Sequence, residues 1–230
     1  MPKKKGSDRD SHGGSRQLHV KVKTARGRKK SSTSWLQRQL NDPYVAQAKK
    51  DGYRSRAAYK LIEIDDKFGI LKTGKNFVDL GAAPGGWAQV AVQRIKDGNI
   101  VGIDLQEIEP IEGATLIQHD FTADDAPEIV AKALGGQKAD IVVSDMAAPS
   151  CGHTQTDHIR IIALCEMAFD FAKEYLAEGG SFAAKILRGG TEKELLEDMK
   201  KSFKVVKHFK PNSSRKDSAE MYVVGMGFRK

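Results

Sequence analysis

The sequence predicts an α/β fold, a mostly parallel sheet with helices on both faces. Three observations carry that expectation. Between residues 77 and 186, short apolar runs rich in Val and Ile alternate with amphipathic stretches. The first run, Val78-Asp-Leu, passes directly into the glycine-rich turn Gly81-Ala-Ala-Pro-Gly-Gly86, as a strand does when it turns into a helix around a ligand. At 230 residues, 40% apolar and 30% charged, the chain can bury one substantial core. It reads as one folded domain over 31–230 behind a tail over 1–30.

The tail holds 11 Lys or Arg against two Asp, leaving 27 basic and 28 acidic residues beyond it, so it supplies the whole excess behind the net charge of +8. Such a composition cannot pack a core, and the tail is expected to be disordered in isolation and attracted to polyanions. Asp8, Asp10 and the clumping of the basic residues argue against an organellar presequence. Helices are expected over 35–49 and 55–68. Ser55 is placed to cap the second, whose inward face reads as Tyr59, Leu61 and Ile62. Strands are expected over 77–80, 100–104, 115–118, 141–144 and 182–186, separated by helices over 86–96, 127–134 and 157–175. The last of these sets Ile161, Leu164, Ala168, Phe171 and Tyr175 on one side as core residues and stops at Gly179-Gly180. Thr191 and Glu194 form a capping box for a further helix that buries Leu195, Leu196 and Met199. Residues 203–208, a polar loop over 210–218 and residues 221–228 read as an antiparallel hairpin on one sheet edge.

No run approaches the roughly 20 apolar residues of a membrane span, and the amino terminus lacks the apolar region of a secretory signal, so a soluble intracellular protein is expected. Cys151 and Cys165 form no Cys-x-x-Cys pair, which argues against a disulfide framework and a zinc site. Cys151, His153 and His158 share a polar loop that gathers such residues by chance, and no metal is assigned to them.

The turn lacks the Gly-x-Gly-x-x-Gly spacing of a dinucleotide site, and no Walker lysine follows it. Gly81, Gly85, Gly86 and Trp87 instead bring backbone N–H groups to the start of a helix. Asp104 ends the second strand, where a carboxylate can accept from a ribose diol, and Asp120 and Phe121 follow the third, where an adenine edge would lie. Asp79, beside the turn, would repel pyrophosphate yet suit the cationic amino-acid end of S-adenosylmethionine. Three acids at successive strand ends therefore point to that cofactor.

Five stretches carry a family resemblance: Arg54-Ser-Arg-Ala-Ala-Tyr-Lys60-Leu, Asp79-Leu-Gly-Ala-Ala-Pro-Gly-Gly-Trp87, Ser144-Asp-Met-Ala147, Gly179-Gly-Ser-Phe-Ala-Ala-Lys185 and Ser213-Ser-Arg-Lys-Asp-Ser-Ala-Glu220-Met-Tyr222. From about Trp35 onward the chain resembles the RrmJ/FtsJ (RlmE) family of ribosomal RNA large-subunit ribose 2′-O-methyltransferases. The resemblance implies a Rossmann-like class I S-adenosylmethionine-dependent methyltransferase fold, with a seven-stranded sheet whose last strand is antiparallel. It implies that Gly85, Trp87, Asp104, Asp120 and Asp145 contact the cofactor, and that Lys60, Asp145, Lys185 and Glu220 form a catalytic tetrad. The family's Asp-Met-Ala-Pro-Asn is here Asp145-Met-Ala-Ala-Pro149-Ser150, and its Lys-Val-Phe is Lys185-Ile-Leu187. The first departure touches the substrate loop and the second only packing; neither removes a tetrad residue.

Methyl transfer from a sulfonium needs an oxygen nucleophile held in line, and no metal is required. A ribose 2′-hydroxyl must lose its proton during or just after attack. Lys185 is read as the general base, with a cation that orients the hydroxyl as the open alternative. Ribosomal RNA is the expected partner, within the large subunit and without a membrane, for a monomer in the bacterial cytoplasm or, in a eukaryote, the mitochondrion. Lys49, Lys50, Arg54 and Arg56 before the site, and Lys207, Lys210, Arg215 and Lys216 after it, are the expected phosphate contacts. Competing readings are a non-catalytic RNA-binding assembly factor, a messenger-RNA cap methyltransferase and a dehydrogenase.

Overall fold

The computed structural model describes residues 20–22, 30–189 and 193–229. Apart from 20–22 and 30, the basic tail lies outside the described residues, as does Thr191 of the capping box. The chain divides into two compact units, Met1–Ala46 and Gln47–Lys230.

In the first unit, α1 (Lys30–Leu40) is flanked by Asn41, whose Oδ1 accepts the Val20 N–H at 2.8 Å, while Gln37 Oε1 accepts that of Val22 at 3.0 Å. The sequence suggests one helix over 35–49, but α2 (Pro43–Asp51) starts afresh. Proline has no N–H to donate and disfavours helical backbone at the preceding Asp42. Asp42 Oδ1 then accepts the Tyr44 N–H at 3.0 Å and caps the new helix.

The second unit is built on β1 (Phe77–Leu80), β2 (Ile100–Asp104), β3 (Ala114–Gln118), β4 (Ala139–Ser144), β5 (Leu176–Leu187), β6 (Phe203–Phe209) and β7 (Glu220–Phe228). They form one sheet in the order β3-β2-β1-β4-β5-β7-β6. The first five are parallel, and β7 inserts antiparallel between β5 and β6. The terminal hairpin is therefore present, with β6 rather than the last strand at the edge.

Two cores follow from the alternation of side chains along the strands. Val78 and Leu80 of β1 pack with α5 (Ala126–Ala133), α6 (Thr154–Tyr175) and α7 (Lys193–Ser202) on one face. Phe77 packs with α3 (Ala58–Phe68) and α4 (Gly86–Arg94) on the other. Each fully buried Phe, Leu or Ile there contributes about 1.5–3 kcal/mol. No helix among the described residues is long and apolar enough to cross a membrane.

Three local expectations are corrected. α3 begins at Ala58, not Ser55: Ala57 takes the cap position without a side-chain bond, and Ser55 Oγ is buried without a partner. The turn Ala58 N–H to Ser55 O, at 3.3 Å, uses the Ser55 backbone instead. With the helix so placed, Lys60 enters the interior beside Ala58, Leu61 and Ile64, while Tyr59 turns outward and donates to Asp51 Oδ2 at 2.6 Å. Gly179 and Gly180 do not stop α6, which ends at Tyr175; they lie inside β5, where its register with β4 shifts.

Candidate active site

The turn after β1 and Asp145 after β4 lie side by side where the strand order reverses, the position at which open parallel sheets bind ligands. Four charged side chains from four elements meet there. Lys60 of α3 donates to Glu220 Oε2 at 2.9 Å and to Asp145 Oδ2 at 3.4 Å. Lys185 of β5 lies 3.0 Å from Asp145 Oδ1. Tyr222 of β7 donates its hydroxyl to the same Oδ1 at 2.5 Å, and Ser214 donates to Glu220 Oε1 at 2.7 Å. The pairing of β5 with β7 sets Lys185 opposite Tyr222 and Leu187 opposite Glu220.

Two ammonium groups facing two carboxylates make the cluster formally neutral, which is what permits its burial. Burial works to raise the Asp145 pKa, but Lys185, Lys60 and the Tyr222 hydroxyl outweigh it and hold the carboxyl below its usual value. Burial likewise works against the Lys60 ammonium, and Asp145 and Glu220 overcome it, so Lys60 holds its proton more firmly than a free lysine. Burial, with Asp145 and Glu220 adding to it, pushes the Tyr222 phenol well up and keeps it a donor.

Beside this cluster lies a cavity of about 470 Å³ lined by Gly81, Asp104, Asp120, Phe121, Asp145 and the loop 146–149. Asp104 Oδ2 accepts the Ala83 N–H at 3.0 Å and Oδ1 that of Gln106 at 2.8 Å. Asp120 Oδ1 accepts from the Thr122 N–H and hydroxyl, which hold its pKa below the usual value. Asp79 lies under the turn, 1% exposed, with neither carboxylate oxygen bonded. Burial, reinforced by Asp145 and Asp104, pushes its pKa well up. Gly85, Gly86 and Trp87 do not line the cavity; Trp87 is buried and its Nε1 donates to Ala57 O at 2.7 Å. The Gly85 N–H is already donated to Ala82 O at 2.7 Å, so it is Gly86 and Trp87 that can present backbone N–H at the start of α4, where the first turn has no intrahelical acceptors. A set of acids, one of them orphaned in the interior, suits a ligand bearing hydroxyls and a cationic end, and S-adenosylmethionine has both.

Two of the glycines answer a steric need of the fold itself. Gly81 has φ +84°, and a Cβ there would meet Met146 Cγ at 2.5 Å. Gly85 has φ +103°, and a Cβ would meet Ile111 Cδ1 at 2.8 Å. Both need backbone that L side chains rarely adopt.

Several of the expected RNA contacts also bind within the fold. Arg54 donates to Glu109 O at 2.6 Å and Pro110 O at 2.9 Å, Arg56 donates to Ser213 O, and Lys210 donates to Ser218 O at 2.6 Å. Leu164, expected in the core, lines the cavity. Tyr222 and Ser214 were not singled out from sequence. Both lie within the stretch 213–222 that carries the family resemblance, and for Tyr222 its spacing of two from Glu220 puts both on one face of a strand. Among the described residues no group of three or more His, Cys, Asp and Glu side chains is arranged to hold a metal ion.

Residues 53–228 match the FtsJ-like methyltransferase family. The chain is similar to the ribosomal RNA large subunit methyltransferase E of Roseobacter denitrificans, 59% identical over 238 residues that span 100% of this chain and 99% of that one. The protein of that name from Parvibaculum lavamentivorans is 57% identical over 97% of this chain and 92% of its own. Among solved structures, a ribosomal RNA methyltransferase from Plasmodium falciparum superposes with a TM-score of 0.70 at 34% identity, covering 76% of this chain and 98% of that chain.

Proposed function

The chain belongs to the FtsJ-like methyltransferases, and from that premise we propose that it transfers a methyl group from S-adenosylmethionine to the ribose 2′-hydroxyl of a uridine in large-subunit ribosomal RNA, leaving S-adenosylhomocysteine. The work takes place in the cytoplasm during ribosome maturation. The observation that carries this reading is the convergence of Lys60, Asp145, Lys185 and Glu220 beside a cavity walled by acids. Relatives named ribosomal RNA large subunit methyltransferase E match the chain over nearly its whole length, which supports a large-subunit RNA substrate.

S-adenosylmethionine supplies an electrophilic methyl group carried on a sulfonium. Asp104 and Asp120 would accept from its hydroxyl and amino groups, and Asp79, buried beneath the turn, would favour its cationic end. Lys60, bonded to both acids of the tetrad, stays charged and holds Asp145 and Glu220 in register. Lys185, once it has released its own proton and become a neutral amine, is then the group that takes the 2′-hydroxyl proton as the oxygen attacks, a role that contributes about 10²–10⁴-fold in general-base catalysis. The exposed Lys49, Lys50, Lys207 and Lys216 supply phosphate contacts, which give affinity but no sequence choice.

Mapping ribose methylation across ribosomal RNA in cells with and without the gene tests the proposal. One large-subunit uridine mark should vanish and return with the intact gene. If every large-subunit mark persists in its absence, the substrate assignment is wrong.

A further inference from the structure

Tyr222 is the largest fully buried side chain of the second unit, 0% exposed, and its only polar atom points into the tetrad. Its hydroxyl lies 2.5 Å from Asp145 Oδ1, the oxygen from which Lys185 Nζ is 3.0 Å away. Trp87 packs against its ring at 5.8 Å between centroids, and Lys60 Nζ stands 5.8 Å from the same ring. The strand register sets Tyr222 directly opposite Lys185.

We propose that Tyr222 is a positioning residue for the tetrad: Lys185 Nζ is held by two oxygens of Asp145, the main-chain carbonyl at 2.5 Å and Oδ1 at 3.0 Å, and by donating to Oδ1 Tyr222 sets how tightly the carboxylate grips Lys185. This rests on the reading of Lys185 as the base in methyl transfer. A carboxylate oxygen that accepts a second strong donor has less charge to offer the first. The other charged groups facing the pair are Lys60 from α3, Asp79 from β1 and Glu220 from β7, with Arg56 behind Glu220. Lys60 already engages both acids, so Tyr222 is the neutral donor that sets how tightly Asp145 grips Lys185.

The test compares the full-length wild type with Tyr222→Phe in two readouts. The first is the pH–rate profile for methylation of large-subunit RNA. The second is acylation of Lys185 by acetic anhydride across pH, read by mass spectrometry without RNA or cofactor. Loss of the phenol should move both upward by about one pH unit, a loss of about tenfold on the acid limb that disappears at high pH. A fluorinated tyrosine at 222, a stronger donor, should move both downward. A folded Tyr222→Phe variant with unmoved labelling, or with a loss uniform across pH, overturns the inference. If that variant does not fold, unmoved labelling with fluorotyrosine overturns it instead. If labelling moves as expected but the wild type methylates no RNA, the inference about the pair stands and the proposed function falls.

Discussion

The two halves of the sheet's upper rim carry the same kind of residue and treat it in opposite ways. At β1, β2 and β3, Asp79, Asp104 and Asp120 are met by backbone N–H groups, by a threonine hydroxyl or, for Asp79, by no donor at all. At β4, β5 and β7, Asp145 and Glu220 are met by the ammonium groups of Lys60 and Lys185 and by the hydroxyls of Tyr222 and Ser214. A half with uncompensated acids is built for positive charge and hydroxyls arriving from outside. A half that compensates itself needs no guest to be stable, and its bonds fix geometry instead. Removing one member of such a buried pair costs about 3–5 kcal/mol because the other is stranded, which ties the tetrad to stability as well as to chemistry.

The largest expected effect breaks the chemistry of one half while sparing the other. Lys185→Met should lower methyl transfer by about 10²–10⁴-fold, with S-adenosylhomocysteine affinity by calorimetry unchanged. Asp145 retains Lys60 and Tyr222 in that variant, so its charge is not left alone. A loss of affinity as large as the loss of rate would show that the two halves are one unit.

A smaller effect sharpens the contrast from the cofactor side. The folded-state pKa of Asp79 is raised by burial, so the folded protein binds a proton there that the unfolded chain has already released. Stability linked to Asp79 is complete below the unfolded value near pH ~4 and is lost as pH rises toward the folded one. Asp79→Asn removes that dependence. In thermal melts without ligand, the wild type should lose melting temperature relative to the variant as pH rises from acid to neutral. Parallel pH profiles would mean that Asp79 has a donor after all.

How far the sequence made this legible differs between the same two halves. The strands, the alternation and the glycine turn were readable because each is a local pattern: Val78 and Leu80, like Val101 and Ile103, repeat with the period of a strand, and Gly81 marks a backbone that few residues adopt. Asp79, Asp104 and Asp120 were readable for the same reason, as acids at strand ends. The tetrad is assembled across as many as 160 residues between Lys60 and Glu220, and only family resemblance named it. The start of α3 was misread because a serine suited to capping was available, yet the Ser55 side chain does not cap. The split between α1 and α2 was legible in Pro43. That Arg54 and Arg56 also bind backbone carbonyls was not legible, because those partners are 55 and 157 residues away.

The smallest expected effect probes how the self-compensated half fixes its geometry. Glu63 accepts the N–H groups of Asn212 and Ser213, and Arg56 donates to Ser213 O, so the loop before β7 is tied to α3 and its approach. That tie aims Ser214, 4% exposed, at Glu220 Oε1 while Lys60 holds Oε2. Ser214→Ala deletes one donor of about 0.5–1.5 kcal/mol and leaves the ion pair, so methyl transfer should fall about two- to tenfold with the fold intact by circular dichroism. A loss equal to that of Lys185→Met would make the aim of Glu220 as important as the base itself. An unchanged rate would mean that Lys60 alone orients Glu220, and the bonds from the loop would then belong to folding only.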